Sequence, residues 1–482
     1  MVLQHLYRPV LNFIYGKFTY RINEKTRNII IFICLLSIFA VQFAAQYIFK
    51  YEGLNRGIRD YFICLMMGIM IIVSVNRKLE IIRWNMWAYI PFTITGLMIF
   101  VASLDHEMGP SYQAFPLTML VAFMCLFYVW GCRRDYTTLF KIASLAYLIY
   151  IFVIFIGCVI YYPYYDNSIS EITFEYAPFG INPNGVTKLF APGVVSGLFL
   201  MILYKRSKLI YLYAFVAGLC SAVIILTKSR AGIIILLLIV IIYIMYLIIE
   251  RNSEEVKNIC YGKKRMFTVL TVTLILCISC VFGIFLIKDI SPEISSRVST
   301  SETVTADNNE EVNSEEDLDA ENEAIVRQNK INESLASVSS EVYEDETLSR
   351  LNQFMAGRVQ IWMVYFKNMT WQGSDELMFY DTEYAHNQYI ELSYKAGIMT
   401  GIVYLIFNVI AGVMIIKNIF NNGKRRHKYV WFQGLSFVVF FIISMLDTGV
   451  MPFERGFIFL YYISIAPLFI NEDIIRKKDI LK

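Results

Sequence analysis

Long apolar runs separated by short polar segments occupy most of this chain. About twelve runs approach the roughly 20 residues that a helix needs to cross a bilayer core about 30 Å thick. They predict an all-α integral membrane protein, a polytopic bundle of about twelve transmembrane helices with one large external loop between the ninth and tenth. The predicted spans are residues 28–49, 61–75, 84–104, 113–131, 140–162, 185–204, 209–227, 231–249, 266–287, 391–416, 429–447 and 456–471.

Lysine and arginine residues between the runs predict which loops face the cytoplasm. Basic clusters such as Arg77 with Lys78, Arg133 with Arg134, and residues 424–426 occur in alternate loops, and the loops between them are poor in positive charge. Because basic residues are retained on the cytoplasmic side of a membrane, this alternation places both termini in the cytoplasm. The long hydrophilic segment between the ninth and tenth runs then lies outside.

This hydrophilic segment divides the chain into three parts. Residues 1–288 hold the first nine predicted spans, residues 289–390 form the external segment, and residues 391–482 hold the last three spans. The stretch 291–346 is acidic and rich in Ser and Asn, which predicts disorder because it cannot bury enough apolar surface. The stretch 347–390 is predicted to hold an amphipathic helix and the motif region.

Apolar residues at helical spacing predict that amphipathic helix. Leu348, Leu351, Met355, Val359 and Trp362 recur three and four residues apart, which places them on one face. A helix of this kind, lying outside and leading back to the tenth span, is expected to rest on the membrane surface or to cap a cavity between the spans.

Composition excludes two broad classes of protein. Hydrophobic residues make up 57% of the chain and charged residues only 17%, where a soluble chain carries about 25%. The mean hydropathy is +0.52. These values argue against a soluble enzyme, and a net charge of only +3, sorted into loops, argues against binding to nucleic acid.

Two turns beside apolar runs carry the first candidate residues, since a charged group is costly to hold in or next to a membrane span. Asn182 and Asn184 lie in the turn that opens the sixth predicted span, and Lys188 follows one helical turn later. Arg230 lies in a short Ser-Arg-Ala-Gly turn between the seventh and eighth spans. The simpler interpretation is a pair of capping turns whose basic side chains reach toward lipid headgroups.

The external segment carries the second set of candidates. Arg358 and Trp362 share one helix face, and a guanidinium offers a planar fork of donors suited to phosphate. His386, followed by Asn387 and Tyr389, lies where the segment meets the membrane, and an imidazole can exchange a proton at neutral pH. The simpler interpretations are a surface arginine stacked on its tryptophan neighbour and a hydrogen-bonded interfacial histidine.

Taken in order along residues 182–401, these motifs resemble those of the O-antigen ligase and polymerase superfamily. Two features depart from that pattern: the acidic stretch 291–346 looks like an insertion, and the usual Pro and second Gly near Gly373 are replaced. The similar features are an Asn-Pro-Asn-Gly turn, a Ser-Arg-Ala-Gly turn, a large external loop with Arg358 and Trp362, Gly373, a His-Asn-x-Tyr sequence, Gly397 and Gly401.

The resemblance implies a GT-C-like glycosyltransferase in the bacterial cytoplasmic (inner) membrane, acting on its outer face. The expected donor is a glycan carried on undecaprenyl diphosphate, and the expected acceptor is a glycan or a lipid-linked glycan. Catalysis is assigned to His386 as the base and to Arg230 and Arg358 as the cations that hold the leaving diphosphate. No metal ion or other cofactor is expected. The expected substrate-binding residues are Lys188, Asn182, Asn184, Trp362, Asn387 and Tyr389.

Two activities within the superfamily stay open. A polymerase joins lipid-linked repeat units into O-antigen, capsule or exopolysaccharide, whereas a ligase transfers the finished polymer to lipid A core or another acceptor. We favour the polymerase, because repeat-specific polymerases tolerate divergent loops. A polysaccharide flippase or other transporter is a third alternative, but the chain shows no repeat between its halves. Membrane lipids, a flippase and a chain-length regulator are the other expected partners.

Overall fold

Helices form nearly all of the described chain. The computed structural model describes residues 2–45, 56–105, 116, 118–160, 181, 183–251, 259–292, 294, 338–339, 342–355, 357–374, 385–421, 428–447 and 456–471. These residues contain no β-strand, only an isolated antiparallel bridge between Trp84 and Ile470. The α-helices are α1 Val2–Lys17, α2 Glu24–Phe43, α3 Arg56–Ser74, α4 Met86–Asp105, α5 Met124–Arg133, α6 Tyr136–Ile160, α7 Pro183–Leu203, α8 Leu209–Leu226, α9 Arg230–Arg251, α10 Ile259–Phe285, α11 Glu346–Phe354, α12 Arg358–Asn368, α13 Gln388–Ala396, α14 Ile398–Asn421, α15 Tyr429–Leu446 and α16 Gly456–Ile465.

Nine of the described helices are long and apolar enough to cross a membrane: α2, α4, α6, α7, α8, α9, α10, α14 and α15. Two further apolar helices are shorter, at Thr118–Arg133 and Gly456–Phe469. Helix α3 has 19 residues but carries Arg56, Arg59 and Asp60 in its first turns. Each of the predicted apolar runs therefore overlaps a helix, and the chain is a helical protein of membrane-spanning character.

Two glycines break helices that the sequence pattern predicts as single elements. Gly357 has a φ of +83° and separates α11 from α12, so the prediction of one amphipathic helix is wrong. Gly397 has a φ of +90° and separates α13 from α14, so the tenth predicted span begins with a distinct helix of 9 residues. A residue with a Cβ is strained in this left-handed conformation, whereas the apolar periodicity runs through both breaks unchanged.

A close backbone crossing fixes the junction between α13 and α14. A Cβ atom on Gly373 would clash with the carbonyl oxygen of Lys395, and one on Gly397 would clash with that of Trp371. Backbone hydrogen bonds of 2.9 and 3.1 Å join the turn at residues 370–374 to the same junction. Only glycine allows these two segments of the backbone to approach this closely.

Helix α7 lies at the centre of the bundle, and 94% of its most apolar 18-residue stretch is buried. It packs against α6, α8, α9, α15 and α16 within one large hydrophobic core.

A second, smaller core joins the segment 338–374 to α13, so α12 is covered by protein on one side. The expected disordered stretch lies mostly outside the described residues, but its end contributes to this core. The buried members are Val338, Val342, Val364, Tyr365, Ala385, Ile390 and Tyr394.

The bundle has two ends that differ in their chemistry. Helices α7, α9 and α13 begin at one end and α15 finishes there; we refer to this as the site end. At the far end, the loop between α3 and α4 leads to Asn85, which donates a hydrogen bond to the carbonyl oxygen of Leu468 (3.0 Å) and lies against Met414. Met414 is roughly 25 Å along α14 from Gly397 at a rise of 1.5 Å per residue. The two ends are therefore separated by about the thickness of a bilayer core.

Candidate functional site

Asp447 lies at the centre of a charged cluster at the site end. It directly follows α15, where its backbone N–H donates to the carbonyl oxygen of Ile443 (2.7 Å). Its side chain is buried, with Oδ2 2.6 Å from Nζ of Lys188 and Oδ1 3.8 Å from Nδ1 of His386. A single carboxylate thus joins α7, α15 and the residues that lead into α13.

Lys188 is a buried lysine with a buried partner. Its side chain is 3% exposed, so it does not reach toward lipid headgroups, and the simpler interpretation of this residue is wrong. The ammonium and the carboxylate of Asp447 must compensate each other, because an unpaired charge at such a position is strongly destabilising. This pairing fixes the position of the carboxylate that faces His386.

His386 has a backbone conformation that is uncommon for a residue with a side chain. Its φ is +46°, and a conformation of this kind costs about 1–3 kcal/mol unless the surroundings hold it. The residue before it is held by Trp362, whose indole Nε1 donates to the carbonyl oxygen of Ala385 (2.6 Å). The buried Nδ1 of His386 makes no hydrogen bond within the described residues. Strain of this kind is typical of a functional position.

Asn387 uses both the oxygen and the nitrogen of its side-chain amide within the protein. Its Oδ1 caps α13 by accepting from the backbone N–H groups of Tyr389 (3.0 Å) and Ile390 (3.2 Å). Its Nδ2 donates to the carbonyl oxygen of Met445 (3.1 Å), which fastens α13 to α15 beside Asp447. The ring of Tyr389 is buried, so both residues, predicted to bind substrate, are turned into the protein and position His386.

Two arginines bring further positive charge to Asp447. Arg358 is half-buried at the first turn of α12, and Arg230 is exposed at the first residue of α9. Burial lowers the pKa of the Arg358 guanidinium; the carboxylate of Asp447 opposes this effect and the charge of Arg230 adds to it. Within the described residues, the Arg358 side chain makes no hydrogen bond and no ion pair.

The two turns that the sequence singled out lie side by side. Ser229 donates from Oγ to Oδ1 of Asn184 (2.8 Å), and the backbone N–H of Gly232 donates to the same Ser229 hydroxyl (3.2 Å). A Cβ on Gly232 would lie 2.7 Å from Oγ1 of Thr187, so a glycine is needed for α9 to approach α7 here. Asn184 thus helps to place Arg230 near Lys188. Asn182 lies outside the described residues.

Helix starts add to the positive character of this cluster. Helices α7, α9, α12 and α13 all begin around Asp447, and the start of a helix carries partial positive charge. Among the described residues, the basic side chains Lys188, Arg230 and Arg358 outnumber the one carboxylate that they surround. A site of this composition can bind a compound with more than one negative charge, next to an imidazole that can accept a proton.

Asp447 is the residue that the sequence reasoning missed. It is the only acidic residue between Tyr429 and Phe453, and it directly follows an apolar run, so the cost of a charge beside a span would have singled it out. A second buried pair, Lys395 with Glu391 (2.6 Å), lies within α13 and supports the helix. Among the described residues, no group of three or more His, Cys, Asp or Glu side chains could hold a metal ion.

Comparison with known proteins gives no match: no protein-family model, curated protein or solved structure is significantly similar to this chain. The resemblance of its short motifs to the O-antigen ligase and polymerase superfamily stays an expectation from the sequence. Function is therefore inferred from the chemistry around Asp447.

Proposed function

We propose that this chain is a GT-C-like membrane glycosyltransferase that polymerises oligosaccharide repeat units carried on undecaprenyl diphosphate. One observation carries the proposal: Lys188, Arg230, Arg358 and His386, from four separate motifs, meet around Asp447. In this proposal the bundle has about twelve spans and both termini are cytoplasmic. The site end then faces the outside of the bacterial cytoplasmic membrane.

The cations at the site suit a diphosphate. A guanidinium forms two parallel hydrogen bonds to a phosphate, and Arg358 and Arg230 lie near enough for their charges to interact. The charge of Asp447 is offset by Lys188 at 2.6 Å, so the carboxylate does not repel the ligand strongly. Negative charge grows on the diphosphate as it leaves, and fixed cations in a partly buried site stabilise that change.

His386 supplies the proton acceptor in the proposed reaction. The acceptor hydroxyl oxygen attacks the anomeric carbon, the bond between that carbon and the phosphate oxygen breaks, and the lipid diphosphate leaves with the bonding electrons. The hydroxyl proton passes to Nε2 of His386, since Nδ1 is buried and faces Asp447 at 3.8 Å. The carboxylate stabilises the imidazolium that forms, and a small movement of the ring closes that distance to a hydrogen bond.

The test is a reaction of the purified chain, in membranes, with lipid-linked repeat units. We expect a ladder of longer glycans that remain attached to the lipid diphosphate. A single transfer of preformed polymer to lipid A core would identify the alternative, a ligase. Movement of the lipid-linked glycan across the membrane with no new glycosidic bond would identify a transporter and would contradict the proposed function.

A further inference from the structure

One side of α1 is bonded to the far end of the bundle. Asn12 exchanges two hydrogen bonds with the backbone of Leu79, of 2.7 and 3.3 Å. The side-chain oxygen of Gln4 accepts from the N–H of Ile82 (3.3 Å), and Leu11 is buried between these two contacts. Helix α1 therefore lies along the loop that joins α3 to α4, on the opposite end of the molecule from Asp447.

The other side of α1 presents an apolar stripe. Leu6, Val10 and Phe13 are 63%, 55% and 63% exposed, and their spacing of four and then three residues places them on one face. In a helix fixed to a membrane-spanning bundle, exposed apolar side chains of this kind are covered by acyl chains when the helix lies in the plane of the interface.

Positive charge and aromatic rings follow at the end of this helix. Lys17, Arg21 and Lys25 are exposed, and Phe18 and Tyr20 between them are exposed as well. The first 23 residues of the sequence contain no Asp or Glu. Aromatic side chains favour the headgroup region of a bilayer, and each basic residue near an anionic surface is attracted to it.

We propose that α1 lies in the membrane leaflet at the far end and binds anionic phospholipids. The stripe of Leu6, Val10 and Phe13 contacts acyl chains, and the basic residues Lys17, Arg21 and Lys25 contact the phosphate groups. This surface does not depend on the function proposed for the site end. A second copy of this chain, or another protein, is the competing occupant of the same apolar face.

Contact with acyl chains is tested by quenching of a fluorescent label. A bimane is attached at Phe13→Cys, in full-length protein whose Cys64, Cys260, Cys277 and Cys280 are replaced by Ser, and the protein is placed in bilayers with brominated acyl chains. A matched label at Lys78→Cys, exposed in the loop beside α1, serves as the control. We expect strong quenching at position 13 and weak quenching at position 78. Equal quenching at both positions would overturn the proposal. Weak quenching at position 13, the result expected if a protein covers this face, would overturn it as well.

Selectivity for anionic headgroups is tested by lipid retention. The full-length chain is exchanged into equimolar phosphatidylcholine and phosphatidylglycerol, and the lipids that stay bound are measured by native mass spectrometry. Replacing Lys17 and Lys25 by Gln should lower phosphatidylglycerol retention about 25-fold, since each basic residue contributes about fivefold. The control replaces Arg350 and Lys367, which are exposed on α11 and α12. Equal retention by wild type and the first variant would overturn the proposal.

Discussion

The two ends of the bundle both hold arginine beside a carboxylate, but they use the arginine donors differently. At the far end, the guanidinium of Arg133 donates to the carbonyl oxygen of Ser74 (3.2 Å) and to Glu24. The Nη1 and Nη2 groups of Arg27 are likewise used by the protein itself, where they close the end of α3 and the turn before α2. Its four acceptors are the backbone carbonyl oxygens of Thr19, Ile22, Val73 and Val75.

At the site end, no described residue uses the donors of Arg358 in this way. Within the described residues Arg358 makes no hydrogen bond, and the neighbouring His386 keeps a strained backbone with Nδ1 unpaired. Burial of polar groups without partners is costly, and strain is retained where the surroundings impose it. The comparison teaches that burial alone does not identify a functional charge; what matters is whether its hydrogen-bonding capacity is used by the protein.

The largest expected effect separates chemistry from folding at His386. Asn also tolerates a positive φ, so His386→Asn keeps the backbone while it removes the imidazole. We expect turnover of lipid-linked donor to fall by about 10²-fold or more, with the free energy of unfolding changed by less than about 0.5 kcal/mol. Initial rates and thermal unfolding are measured in the same membranes. Near wild-type turnover would remove His386 from the mechanism.

The second expected effect concerns the buried pair of Lys188 and Asp447. Lys188→Met and Asp447→Asn should each lower the free energy of unfolding by about 3 kcal/mol, because each leaves a buried group without its partner. The double variant should recover most of that loss and yet remain inactive. A double-mutant cycle measures the coupling. Additive losses in stability would show that the two side chains do not depend on each other.

The third prediction tests the contrast between the ends directly. Arg27→Met leaves four backbone carbonyl groups without their donor, and we expect a loss of about 2 kcal/mol in the free energy of unfolding. Arg358→Met removes a guanidinium that no described group requires, so its loss should be below about 1 kcal/mol. Chemical denaturation of the two variants under one condition gives both values. The opposite order would reverse our assignment of structural and functional arginines.

The smallest expected difference between two matched variants concerns the crossing that supports α13. Gly373→Ala introduces both a strained φ and a clash with the carbonyl oxygen of Lys395, and should cost about 2 kcal/mol. Gly357 offers a matched control, since its φ is also positive but no atom lies within 4 Å of the added Cβ. Gly357→Ala should therefore cost about 1 kcal/mol, from strain alone. Thermal unfolding compares them, and equal losses would mean that the crossing adds nothing.

The sequence predicts the helices well because apolar runs of bilayer length have few alternatives to a helix. It does not predict where they break. Leu351, Met355 and Val359 continue one periodicity across Gly357, and only the positive φ of that glycine ends α11. Apolar spacing carries no information about such a local conformation, so the boundaries at Gly357 and Gly397 appear only in the structure.

The candidate site is predictable in part. The cost of a charge beside a membrane span singles out Lys188, Arg230, Arg358 and His386, and the structure brings these residues together. The same rule applies to Asp447, which was missed because it follows a span outside the recognised motifs. Helix packing decides which side chains face each other. The sequence position of Asn387 therefore does not predict that its side chain forms hydrogen bonds within the protein.

Affinity for a lipid diphosphate is the measurement that tests the central claim most directly. Wild type, Arg358→Met and Arg350→Met are compared, since Arg350 is an exposed arginine on the neighbouring helix that pairs with Glu346. We expect Arg358→Met to bind the lipid diphosphate about tenfold or more weakly, the scale of a hydrogen bond to a charged group, and Arg350→Met to bind like wild type. Equal affinity for all three proteins would contradict the assignment of the Asp447 cluster as a diphosphate site.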